Sequence, residues 1–116
     1  MAGYIISLII YGLISLLLIG IGVSEIKSQE PVGFYTHEKP PRKQDITDVP
    51  AWNKKHGTMW ISYGVAMIGV HIVGLFIRNI TVAYTLLICA TFVPLPLMMW
   101  YHARLKKRYY TRRNTK

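Results

Sequence analysis

Four histidines, one cysteine and five acids are the side chains of this chain with the most obvious acid–base or metal chemistry. Their spacing argues against that chemistry. A metal centre needs ligands gathered at characteristic intervals, and neither CxxC nor HExxH occurs. His37, His56, His71 and His102 are not at ligand spacings. A bis-histidine haem needs two histidines at one depth on facing helices. His71 lies about 13 residues, or ~20 Å of helix, from the level of His102, so these two cannot share one haem. Cys89 stands alone inside an apolar run, which rules out an intrachain disulfide and reads as a small packed residue. No Ser/His/acid set, glycine-rich phosphate loop or intramembrane carboxylate pair is present. No catalytic, metal or cofactor residues are assigned, and an enzyme is not expected.

The elements that position these residues are set by three apolar runs, Tyr4–Ser24, Thr58–Ile77 and Thr81–Trp100, none of which contains Asp, Glu, Lys or Arg. Runs of about 20 residues span the ~30 Å hydrocarbon core of a bilayer as helices. In lipid the backbone must satisfy its own polar groups, so helices are required. The fold class expected is all-α, an integral membrane protein with three transmembrane helices. Its parts are a first transmembrane helix over 1–24, a loop with a short interfacial helix over 25–57, a second transmembrane helix over 58–78, a third over 81–102, and a basic tail over 103–116.

Charge gives the orientation. The net charge is +9, and the 25–57 loop and the tail together hold thirteen Lys and Arg against one, Arg78, in the turn between spans two and three. The positive-inside rule then puts loop and tail in the cytoplasm, N-out and C-in. The first span has no basic n-region and no A-x-A site, so it is read as a retained helix; Gly22-Val23-Ser24 is only a weak cleavage candidate.

Within the spans, His71 is the one classically ionisable group set deep, Tyr and Cys aside. An intramembrane polar group is a functional candidate by default. A neutral imidazole that bonds a hydroxyl across the bundle is the structural alternative. On the second helix Trp60, Gly64, Met67, His71 and Arg78 share one side, with Ser62, Ala66, Gly69 and Val73 opposite. The small-residue side is the expected helix-packing surface. Asn79-Ile80-Thr81 matches a glycosylation sequon but hugs the membrane. Pro94 and Pro96 should bend the third helix near its inner third.

In the loop, Asp48 before Pro50 predicts a short helix from about residue 49, lying at the interface or running into the second span. Lys39-Pro40-Pro41 predicts an extended path. Trp52 and Trp60 are expected at headgroup depth, with Lys54 and Lys55 near lipid phosphates. The tail bases Arg104, Lys106, Lys107, Arg108, Arg112 and Arg113 are expected to bind anionic headgroups. A tail tethered at a membrane argues for lipid over nucleic acid.

Gly33-Phe34-Tyr35-Thr36, followed by Trp52-Asn53-Lys54-Lys55-His56-Gly57 at a helix entrance, resembles the loop of small bacterial membrane proteins of the SdpI kind. It is also similar to the DUF3784-type proteins of Gram-positive bacteria. The match covers 30 to 45 residues, roughly the 30–60 region, and Tyr35 stands where an SdpI-like loop commonly has Arg. The resemblance implies a non-enzymatic bacterial plasma-membrane protein that acts by binding, as an immunity-type protein or an accessory, regulatory subunit. Its partner would be a peptide toxin or another membrane protein; a homo-oligomer stays open. The candidate partner-binding positions are Gly33, Tyr35, Thr36, Trp52, Asn53, His56 and Gly57. Plainer roles stand beside these: Gly33 turning the chain, Thr36 capping it, Trp52 anchoring it. The alternative from another class is an oligomeric small transporter or channel using His71 and the Pro94/Pro96 kink.

Overall fold

The structure, a computed structural model, describes residues 2–33 and 41–110. Tyr35, Thr36 and Pro40 of the loop, and Arg112 and Arg113 of the tail, lie outside the described residues. Four helices follow in order: α1 (Ala2–Lys27), α2 (Val49–Gly74), α3 (Ile80–Phe92) and α4 (Pro94–Tyr109), with a single 3₁₀ turn at Lys43–Asp45. Among the described residues the secondary structure is all-helical, and three stretches are long and apolar enough to cross a membrane: α1, α2, and α3 with α4 taken together.

Local chemistry sets the helix starts. The Asp48 carboxylate accepts from the Ala51 N–H at 3.1 Å, and Pro50 occupies the first turn where its missing N–H costs nothing. Of the two courses expected for this helix the structure has the second: it runs unbroken from Val49 to Gly74. Asn79 Oδ1 accepts from Thr81 N–H at 3.0 Å and caps α3. The third span is divided at Val93, next to Pro94. Val93 N–H still reaches Cys89 O at 2.9 Å, and the Tyr63 hydroxyl donates to Thr91 O beside the break. The helix beyond it continues through the expected tail start to Tyr109.

α1 and α2 pack antiparallel through glycine. Gly22 faces Gly57 so closely that a Cβ on either would collide with the carbonyl oxygen of the other. A Cβ on Gly64 would sit 2.8 Å from Ser15 O, and one on Gly74 would run into the Tyr4 ring. Contact this close brings backbone against backbone, where dispersion attraction is strongest, and only small residues permit it. This corrects the expected packing surface. The face of α2 buried against α1 carries Gly57, Gly64, Met67, His71 and Gly74, whereas Ser62, Ala66, Gly69 and Val73 are exposed. The small-residue rule held, but α1 has its matching small residues, Ser15 and Gly22, opposite the other glycines.

Gly57→Val should therefore lower stability by about 1–3 kcal/mol, the usual cost of overpacking. Gly69→Ala, whose Cβ meets nothing within 4 Å, should stay within about 0.5 kcal/mol of wild type. Denaturing-detergent titration measures both, and equal stabilities would show that the helices do not meet at Gly57.

Candidate functional site

The first turns of α2 present Trp52, Asn53, His56 and Gly57 inward and Lys54 and Thr58 outward. Three inward side chains, Trp52, Asn53 and His56, are each 0% exposed. Asn53 clamps the loop that leaves α1. Its Nδ2 donates to Ser28 O at 3.0 Å and Glu30 O at 2.9 Å, and its Oδ1 accepts from Val32 N–H at 3.0 Å. Trp52 Nε1 donates to Val32 O at 2.9 Å. One asparagine and one indole thus satisfy four backbone groups of a segment that has no regular structure of its own.

The other side of the indole holds α4. Ile46, Trp52, Leu105 and Tyr109 form a small core of their own, flanked by Val32, Val49 and Tyr110. Thr47 N–H donates to Tyr109 O at 2.8 Å, pinning the end of α4 to the loop. The His56 ring lies 4.2 Å from the indole, centroid to centroid.

At the centre His56 Nε2 and His102 Nδ1 are 2.8 Å apart, and His56 Nδ1 is 2.9 Å from Trp52 O. The protons follow from these contacts. A carbonyl only accepts, so His56 Nδ1 carries a proton. In the neutral pair His56 Nε2 is then bare, and His102 Nδ1 must donate to it. One extra proton fits, because an imidazolium can bond an imidazole. Two do not, because Nε2–H would then face Nδ1–H. The pair is a buried proton-dependent latch between α2 and α4. It lacks the ligand set of a metal centre: among the described residues no group of three or more His, Cys, Asp or Glu could hold an ion.

Placement of the other expected residues follows. Trp52 was expected at the headgroups, but it is enclosed by protein, because loop and α4 cover it from both sides. Gly57 serves the α1 seam. Gly33 is half-buried in the loop. Trp52, Asn53, His56 and Gly57 thus shape a surface rather than form one. His71 sits between α1 and α2, its ring 4.8 Å from Tyr11 and 5.9 Å from Tyr4. Its Nδ1 is 3.2 Å from Met67 O on its own helix, and the Tyr4 hydroxyl bonds the His71 carbonyl at 2.9 Å rather than the ring. Of the tail bases, Arg104, Lys106 and Arg108 lie over the rings of Trp100, Tyr110 and Tyr109 at 5.3, 5.5 and 5.6 Å. Lys107 is exposed on α4.

The histidine pair is the feature that spacing along the chain did not reveal. Depth would have: His56 falls just before the second apolar run and His102 just after the third, so both sit at one level. No family model, curated protein or solved structure matches the chain.

Two expectations follow. Asn53→Ala removes the donor to Ser28 O and the acceptor of Val32 N–H, and leaves Glu30 O with the Ser28 hydroxyl alone. It should cost about 1–3 kcal/mol and speed amide exchange at Val32; unchanged exchange there would refute the clamp. His102→Phe removes the partner of His56 Nε2 and should cost about 1–3 kcal/mol. Amide exchange along the end of α4 should accelerate in that variant at constant pH; unchanged exchange there would refute the latch.

Proposed function

We propose that this is a bacterial plasma-membrane protein, N-terminus outside and basic loop and tail in the cytoplasm, that acts by binding and not by catalysis. It would serve as an immunity-type protein or an accessory, regulatory subunit, with a peptide toxin or another membrane protein as partner. The observation that supports this most is the clamped loop. A segment that merely joined two helices would not need four backbone groups satisfied by fully buried side chains and a second core against α4. Such fixing makes sense if the outer surface of the loop and α4 must keep one shape. The partner would then read exposed groups such as Glu30, Arg42, Lys43 and Lys107, and the buried Trp52 motif would hold them in place. The likeness of the loop to SdpI-kind proteins points the same way.

Transport has less support. Pro94 borders a groove on one side of α2, whereas His71 is 1% exposed on the side facing α1. The two features invoked for a pathway do not line a common space.

Purification in mild detergent from the native membrane, with mass spectrometry of what accompanies the protein, tests the reading. A stoichiometric partner should be found, lost with Trp52→Ala and retained with His71→Ala. Loss with His71→Ala alone, or flux in liposomes that depends on His71, would overturn it.

A further inference from the structure

The face of α2 that α1 leaves uncovered borders an open groove with α3 and α4. Its inner part, of about 680 Å³, is walled by apolar residues, among them Gly69, Val70 and Val73 of α2, Leu86 of α3 and Val93 at the break. Ala66 and Pro94 line both this part and a shallower one that reaches Met59, Leu97 and Lys55. The shallow part opens into a depression between Lys54, Lys55, Thr58 and Tyr101. A volume of this size falls in the range of small-molecule sites, ~300–1,000 Å³.

Chemistry changes along the groove in a definite order. Lys54 and Lys55 stand at the mouth. One turn in is the Thr58 hydroxyl and a further turn in is Ser62, and from Ala66 inward the α2 wall is apolar. From Lys55 to Gly69 the helix rises ~21 Å at 1.5 Å per residue, and half of a bilayer with its headgroups, ~40–45 Å, is ~20–22 Å. The succession of cation, hydroxyls and hydrocarbon therefore spans about one leaflet. A phospholipid has the complementary order: phosphate, glycerol and ester oxygens, acyl chains.

We propose that this groove binds one anionic glycerophospholipid from the leaflet on the side of the basic loop. Its phosphate lies between Lys54 and Lys55, its glycerol region against Thr58 and Ser62, and its acyl chains along Ala66 and Pro94 toward Gly69. The occupant is a lipid and not a helix because the mouth is doubly cationic and the polarity gradient runs along the bilayer normal. The small residues of this face, which no helix covers, make the room for the chains. The site is separate from the tail bases on α4 and does not depend on the partner-binding role.

Native mass spectrometry of the full chain with phosphatidylglycerol or phosphatidylcholine of identical acyl chains tests it. Wild type should retain one phosphatidylglycerol in preference to phosphatidylcholine. Lys54→Ala with Lys55→Ala should weaken that binding about tenfold or more. Ala66→Leu, which narrows the groove without touching the α1 seam, should displace the lipid, with folding checked by circular dichroism. Arg104→Ala with Lys107→Ala removes the same charge from α4 and should leave binding within about twofold. Equal retention of phosphatidylcholine would overturn the proposal. So would equal weakening by the α4 pair, which would mean diffuse charge attraction. A dimer crosslinked through position 66 would assign the groove to a second copy and overturn it as well.

Discussion

Everything at the basic end of the bundle depends on one backbone contact, Gly22 against Gly57. Lipid tails are as apolar as leucine, so helices associate by dispersion and not by escape from water. The contact is therefore only as good as the distance is short. Having glycine on both sides sets that distance and also sets register: the penultimate turn of α1 is level with the third turn of α2. The chain leaving α1 then has nowhere to go but across the face of α2 that carries Trp52 and Asn53. The loop has its bonds because the crossing point leaves its backbone beside side chains able to satisfy it.

The second dependency is on α4. A third helix ending at the apolar run would leave Trp52 half covered and His56 facing headgroups. Instead α4 carries on through His102, Leu105 and Tyr109, one face of a helix at i, i+3 and i+7, all buried. The opposite face keeps the cations outside. The hydrogen-bonded imidazole pair at the meeting of α2 and α4 answers a polarity problem. Two buried rings with four nitrogens are expensive unless their tautomers are complementary. Here the Trp52 carbonyl dictates the first tautomer and the first dictates the second. The cost of leaving either ring unpartnered gives the contact directional specificity that apolar packing alone would lack.

How much of this was readable in the sequence divides along a physical line. Apolar runs and missing charges gave the three membrane-length helices, because hydropathy is a property of the segment itself. The Asp48–Pro50 start of α2 was readable for the same reason, since a cap involves only its own neighbours. The packing face of α2 was not, because helix 2 carries small residues on both sides and the choice belongs to its partner. Gly57, Gly64 and Gly74 are paired with Gly22, Ser15 and Tyr4 of α1, respectively. Nothing comparable on α3 closes over Ala66 and Gly69. His56 and His102 were considered by spacing along the chain, although their relation is one of depth. Both are immediate neighbours of an apolar boundary, and that was the usable signal. Trp52 was read as a headgroup anchor because tryptophan at an interface is commonly one. Its burial follows from contacts with residues 20 and more positions away, which no local pattern encodes.

The two faces of α2 show why small residues in a membrane helix carry no single meaning. On the α1 side a methyl group added at Gly57 would strike backbone, so smallness there is consumed by helix contact. On the α3 side a methyl at Gly69 would meet nothing within 4 Å, so smallness there is left as space. Space next to hydrocarbon is not vacant; lipid or another helix must fill it, since an empty volume forfeits the dispersion contacts of its walls. What fills it is decided where the groove meets the interface. An apolar helix entering there would have to desolvate or pair Lys54 and Lys55, and it would bring no charge to do so. A lipid phosphate compensates both while its chains occupy the rest. The same small-residue composition that closes one side of α2 against protein thus leaves the other open, and under the lipid proposal the lysines at its mouth are what would select the occupant.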